Sequence, residues 1–119
     1  MKAIHYSRAV DEWAWPDELD ALAASPEHHR VLLENDRVRV LESFIPPGET
    51  TAVHTHRWPN VQYVARGSRL VRRDADGVVT SDGELLEDAS TRWSDPIPPH
   101  TVENAGPRVL SVIVVELKI

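Results

Sequence analysis

Turn signals punctuate the chain about every eight to twelve residues from Val31 onward, a spacing that leaves no room for long helices. Asn35-Asp36, Pro46-Pro47-Gly48, Arg66-Gly67, Asp74-Ala75-Asp76-Gly77 and Ala105-Gly106-Pro107 are the clearest of them. Short strands between such turns pack as an all-β antiparallel sandwich or barrel. "VLLENDRVRVLESFIPPGE" reads as strand, turn, strand, with Val38 and Val40 alternating with Arg37 and Arg39 as on a strand with one buried face. "NVQYVA" reads as a strand, with a two-residue hairpin turn at Arg66-Gly67 returning into "SRLVRR". "GELLEDASTR" reads as loop and "WSDPIPPH" as extended chain, and "RVLSVIVVELKI" is the most apolar strand.

The first thirty residues differ in texture. "WPDELDALAASP" predicts one short helix, with Pro16 at its first position, Asp17 and Glu18 in its first turn, and Pro26 closing it. The expected organisation is an N-terminal arm with a short helix over 1–30 and a β-barrel domain over 31–119. The whole chain has 119 residues, which suits a single core. A net charge of −6 argues against a nucleic-acid partner, because such binding depends on basic residues at phosphates. There is no cysteine, which excludes disulfides, thiolate metal sites and cysteine nucleophiles. The opening MKAIHYSRAVDEW lacks the apolar stretch of a signal peptide, and no segment has the length of a membrane span. The expectation is a cytoplasmic protein with no membrane partner.

Any metal must then be held by His, carboxylate or amide groups. His54-x-His56 places two imidazoles on one face of a strand, within reach of one ion. Alone, such a pair is more often structural than metal-binding. His100, entering a later strand behind Pro98-Pro99, offers a third imidazole if a barrel closes and brings distant strands to one interior.

Gly48, five residues, His54-x-His56, three residues, Asn60, six residues, Gly67 resembles the first cupin motif. "PIPPHTVEN" resembles the second, with His100 and Asn104 at its spacing. The likeness runs over roughly residues 31–117. It implies a small jelly-roll barrel, often dimeric, with one divalent metal inside on His54, His56 and His100. Asn60 stands where the family carries a glutamate, so the charged ligand is missing. Asn60 and Gln62 are further candidates for the metal's surroundings. Imidazoles accept Fe, Ni, Zn or Cu alike, and Mn stays on the list. Three-histidine sites of this family serve some Fe(II) dioxygenases, so a dioxygenase-like enzyme on a small organic substrate is the expected function. A metal-dependent lyase or isomerase, and a non-catalytic metal- or ligand-binding protein, are the alternatives.

Arg69, Arg73 and Trp58 are candidates for the substrate pocket, and inward arginines would favour an anionic substrate. Tyr63 falls on the face opposite Asn60 and Gln62, which points to packing. His28 and His29 read as exposed residues of a linker. Ser94-Asp95 with His100 lacks the strained elbow of a hydrolytic triad. The tryptophans Trp13 and Trp15 give the arm more aromatic surface than a solvated segment needs, from which a homodimer is expected.

Overall fold

The structure, a computed structural model, describes residues 13–119. His5 lies outside them. Eight strands follow one another: β1 (His29–Glu34), β2 (Val38–Ile45), β3 (Asn60–Arg66), β4 (Arg69–Asp74), β5 (Val79–Leu85), β6 (Thr91–Ser94), β7 (His100–Asn104) and β8 (Leu110–Leu117). They form a five-stranded sheet in the order β1-β2-β8-β3-β6 and a three-stranded sheet in the order β5-β4-β7, all pairings antiparallel. The all-β antiparallel architecture read from the turn spacing is the one found, in the two-sheet jelly-roll form that the resemblance implies. No helix among the described residues is long and apolar enough to cross a membrane.

Residues beyond β7 widen the smaller sheet. Thr50 bridges Glu103 and His54 bridges His100. On the far side, Thr55 N donates to Leu19 O at 2.7 Å and Ala21 N to Thr55 O at 3.0 Å. The N-terminal segment is therefore stitched onto the barrel as an extra edge.

The expected single helix is two pieces: one turn of 3-10 helix at Asp17–Leu19 and a helix α1 at Ala21–Ala24. Asp20 separates them with an extended backbone (φ −59°, ψ 142°). Its carboxylate caps α1 through Leu22 N and also holds Arg39, so tertiary pairing overrides helical propensity there.

The register of the large sheet decides what faces inward. Ser43 and Val112 are paired, as are Leu41 and Val114. Val114 pairs with Gln62 and Glu116 with Asn60. One face thus carries Leu41, Ile45, Val64, Leu110, Val112 and Val114, all buried, and closes on Leu70 and Leu86 from the other side. This corrects the reading of β2. Its buried face holds Arg39 and Leu41, while Val38 and Val40 are only partly covered. The arginine is inside because two carboxylates wait for it there.

The expected hairpin at Arg66-Gly67 does not form. β3 and β4 lie in different sheets, and the chain crosses between them through Gly67 and Ser68. Gly67 N donates to Asp88 Oδ1 at 2.7 Å, and Leu86 N to Ser68 O at 3.0 Å, which packs the crossing against the 86–88 segment. "GELLEDASTR" is likewise not all loop, since β5 runs through Gly83, Glu84 and Leu85 and β6 begins at Thr91. A Cβ at Gly67 would sit 1.8 Å from the carbonyl oxygen of Leu86, a backbone atom that cannot step aside. Gly67→Ala is expected to lower stability by about 2–3 kcal/mol, in the range of overpacked cores, as read by denaturant melts.

Candidate metal centre

Three imidazoles, those of His29, His54 and His56, converge at one end of the space between the sheets, and the predicted ligand His100 lies against the His54 ring, outside that set. His54 and His100 face each other across an antiparallel bridge, each backbone N–H donating to the other's carbonyl at 3.0 and 2.9 Å. Their ring centroids are 4.7 Å apart. His56 follows two residues after His54, with ring centroids 5.4 Å apart. His29 arrives from β1, 4.7 Å from the His54 ring and 5.6 Å from that of His56. One ring nitrogen each of His29, His54 and His56 lies within 4.8 Å of the others.

The linker reading of His28 and His29 is therefore corrected, since both are buried. His29 begins β1 opposite Ser43, on the inward face. The apolar run Val31-Leu32-Leu33 has no alternation that would have placed it there, and all three are exposed. His28 turns away, toward Ser25 Oγ at 3.4 Å and Glu49 Oε1 at 3.0 Å.

The hydrogen bonds behind the rings fix their tautomers. Nδ1 of His29 donates to Ser25 O at 3.0 Å, that of His54 to Ala52 O at 2.8 Å, and that of His100 to Pro98 O at 2.8 Å. A carbonyl only accepts, so in the neutral rings Nε2 carries the lone pair. In His54 and His100 the acceptor is the carbonyl two residues earlier, so one local device is used twice. His56 Nδ1 donates instead to Glu116 Oε2 at 2.7 Å. Each of the four thus keeps Nε2 free for a ligand, the arrangement that a metal-binding histidine needs behind it.

Glu116 is wholly buried and its other oxygen accepts from Arg39 Nε at 2.5 Å. Arg39 in turn forks onto both oxygens of Asp20 at 3.0 and 2.8 Å. Although burial opposes its charge, the bonds to Asp20 and Glu116 hold the Arg39 guanidinium above the ordinary arginine range. The sequence carried a signal for Glu116: the inward alternation Leu110, Val112, Val114 continues onto it.

Burial, then the neighbouring His56, pushes His29 down to about 4. The same causes in the same order, with His29 and His100 added, push His54 down to about 2. His100 is lowered to about 4, first by burial and then by His56 and Arg72 against its bond to Pro98. All three are neutral at pH 7, the form that ligates a metal.

The rings open onto a cavity of about 240 Å³. Asn60 and Gln62 both line it. Asn60 is spent on the chain itself, donating to Trp58 O at 3.1 Å and accepting from Gln62 Nε2 at 3.0 Å. The buried carboxylate nearest in register is Glu116, one strand over, and it reaches His56 from behind. Asn104 ties the β7–β8 turn through Ile45 O, Arg108 O, Ser68 Oγ and Gly106 N, so its part in the second motif is structural.

The arginine assignment is corrected by one residue. Leu70, 3% exposed, sets the inward parity of β4, and Arg72 shares it. Arg69 points out to Gly83 O at 2.6 Å, and Arg73 pairs with Glu103 at 2.8 Å. Neither lines the cavity, and Trp58 does not either. Trp58 instead covers the ion-pair chain, with Arg39 5.0 Å and Lys118 5.3 Å from its ring centroid. Arg92 and Trp93 line the cavity in addition. Tyr63 is exposed on the outer face, as its parity predicts.

Comparison with known proteins places this geometry in a fold. No protein-family model matches the chain, and no curated protein does. Among solved structures, a cupin domain from Bordetella pertussis superposes with a TM-score of 0.65 at 24% identity, covering 76% of this chain and 92% of that one. The polyketide cyclase RemF from Streptomyces resistomycificus matches with a TM-score of 0.56 at 21% identity, covering 76% of this chain and 64% of its own. An RmlC-like cupin with a double-stranded β-helix fold from Methanocaldococcus jannaschii matches at 0.55 and 13%, covering 75% and 77%. The chain has the cupin fold.

Two measurements check the site. In metal-free protein, His29, His54 and His100 take up protons near pH 6.5 when unfolded but only near 4, 2 and 4 when folded. The unfolded chain therefore binds more protons between pH 6.5 and 4, and stability falls on acidification through that window. Melts from pH 7.5 to 4.5 are expected to show the steepest loss below 6.5, and a flat profile there would contradict the buried neutral cluster. Glu116→Gln keeps the shape but removes the charge behind His56. Its affinity for Ni(II) is expected to fall by about 10- to 100-fold in calorimetric titration.

Proposed function

We propose that this cupin-fold chain is a metal-dependent enzyme acting on a small organic molecule, with His29, His54, His56 and His100 holding one divalent ion. The observation that carries the reading is the shared device behind the rings. Four imidazoles have Nδ1 committed to an acceptor and Nε2 free, beside a cavity large enough for a small substrate. A purely structural histidine cluster has no need of four free lone pairs of one kind. The donor set fits a borderline cation such as Fe(II), Ni(II), Cu(II) or Zn(II) better than a hard one, since every donor is an imidazole nitrogen.

When bound, the ion supplies Lewis acidity to an oxygen atom of the substrate. The chain does the rest. Neutral imidazoles leave the ion's full positive charge to act on that oxygen. Glu116 holds the His56 ring in place, and the carbonyls of Ser25, Ala52 and Pro98 hold the other three. Leu70, Leu86 and Val112 give the cavity an apolar wall that keeps water from the substrate's body. This supports non-oxidative chemistry on a carbonyl or enol first, a lyase, isomerase or cyclisation reaction, which accords with the likeness to a polyketide cyclase. The dioxygenase-like reading comes second. It draws on the three histidines of the motifs and needs His29 to leave its position open.

A homodimer in the cytoplasm belongs to the same proposal. The outer face of the large sheet exposes Phe44, Val61 and Tyr63, an apolar surface suited to a second copy. Light scattering at high micromolar concentration is expected to give twice the chain mass, and a monomer mass would remove the dimer.

The experiment for the enzyme is metal analysis of untagged protein, followed by turnover assays on diketones, hydroxy acids and enolisable carbonyl compounds. Oxygen uptake is recorded in parallel. About one ion per chain is expected, lost on His29→Ala by at least tenfold in affinity. Substrate consumption without oxygen uptake supports the first reading, and stoichiometric uptake the second. Full-strength metal binding by His29→Ala would separate His29 from the ion and restore the three-histidine set.

A further inference from the structure

Arg72 sits in the cavity wall, and among the described residues its Nε lacks a partner, whereas the guanidiniums of Arg39 and Arg92 each meet a carboxylate. It lies on β4 opposite Val102 of β7, so on the shared inward face it is the diagonal neighbour of His100. Its Nε is fully buried and finds no hydrogen-bond partner among the described residues. The acid that acts on it, Glu84, is already bonded to Arg92 at 3.0 Å, and the hydroxyl of Ser81 approaches that acid's other oxygen at 3.5 Å. Asp95, the acid of the cavity lining, is exposed and accepts from Trp93 Nε1 at 3.2 Å. Burial and then the charge of Arg92 act against the Arg72 guanidinium, and Glu84 offsets them only in part.

A guanidinium is a planar fork of N–H donors that matches a carboxylate in two parallel bonds. Leaving a buried donor of a charged group unsatisfied is costly, and such a vacancy is repaid when an anion fills it. Arg39 shows the same chemistry completed, with two carboxylates around one guanidinium. Apolar residues beside Arg72, notably Leu70, Leu86 and Val102, form the floor between it and the rest of the cavity.

We propose that Arg72 anchors the carboxylate of a small, otherwise apolar organic acid, with the rest of the molecule extending over the apolar floor toward the imidazoles. The proposal deepens the metal-enzyme reading of the same cavity by naming its substrate class, and makes Arg72 a residue that sets specificity.

The test separates the two. Butanoate, hexanoate and benzoate, each against its neutral amide, are titrated calorimetrically into metal-free and Ni(II)-loaded protein. The variants are Arg72→Met, which keeps the side-chain volume, and Arg72→Lys, which keeps the charge but not the fork. Wild type is expected to prefer at least one carboxylate over its amide by tenfold or more, with or without the ion. Arg72→Met is expected to lose that preference while binding Ni(II) and the amide as before. Arg72→Lys is expected to lose several-fold, so it carries the test if Arg72→Met does not fold. Three results would overturn the proposal: no carboxylate bound by either form, a preference that survives in Arg72→Met, or a preference that vanishes when Ni(II) is removed. The last would assign the carboxylate to the ion, leaving the metal reading intact. Failure of Ni(II) to bind with the carboxylate preference retained would do the reverse.

Discussion

The carboxylate of Glu116 is the group on which the rest of this molecule is arranged. A wholly buried charge is tolerated only when it is paired and hydrogen-bonded. Glu116 meets that condition by taking Arg39 on one oxygen and His56 on the other. Arg39 needs more than one partner, and finds the second in Asp20 at the N-terminal segment. One line of charges therefore runs from the segment before α1, through β2 and β8, to a ring of the imidazole cluster. Compared with an apolar replacement of the same shape, such a chain adds little stability. What it contributes is position. Removing Arg39 takes its guanidinium partner from the buried Glu116 carboxylate, at a cost of about 3–5 kcal/mol. The N-terminal segment, the large sheet and the His56 ring are accordingly held in one arrangement.

The sequence made the architecture legible because its signals were local. Turn residues and period-two alternation located the strands, and β8 showed its inward face through Leu110, Val112 and Val114. Strand parity and motif spacing singled out His54, His56 and His100, whereas the ring nitrogens that lie within 4.8 Å of one another are those of His29, His54 and His56. What the sequence hid was decided by pairing between distant elements. Arg39 looked like the solvated member of an alternating pair, and only the positions of Asp20 and Glu116 turn it inward. His29 looked like linker because β1 begins two residues earlier than its apolar run. Arg69 and Arg73 were favoured over Arg72 because a hairpin at Arg66-Gly67 shifts parity by one, and such a shift moves every side chain to the other face. The chain crosses to the second sheet instead. Local propensity carries no information about that choice, which rests on Gly67 fitting against the backbone of Leu86.

The electrostatics of the cavity are unusual for its acidic host. The chain as a whole carries a net charge of −6, yet the cavity is lined by imidazoles and two arginines against one exposed acid, Asp95, and the Nε of one of these arginines has no hydrogen-bond partner among the described residues. Asn60 takes the place where the cupin motif has an acid, and Glu116 has its charge spent on Arg39 and His56. Negative charge is thus kept on the outside and behind the rings. The interior is left short of it, a polarity that suits the anionic substrate proposed for the cavity.

The placing of His29 has a mechanical consequence. β1 is the outermost strand of the large sheet, held along one side only, while His54 and His100 belong to the extended smaller sheet. An ion shared by these rings is a clasp across the mouth of the sandwich, joining both sheets and three stretches of chain that are remote in sequence. Where a small secreted domain would be riveted by disulfides, the proposed ion would give this cysteine-free chain a reversible fastener instead, and its edge strand would be as firmly shut as the hold on that ion.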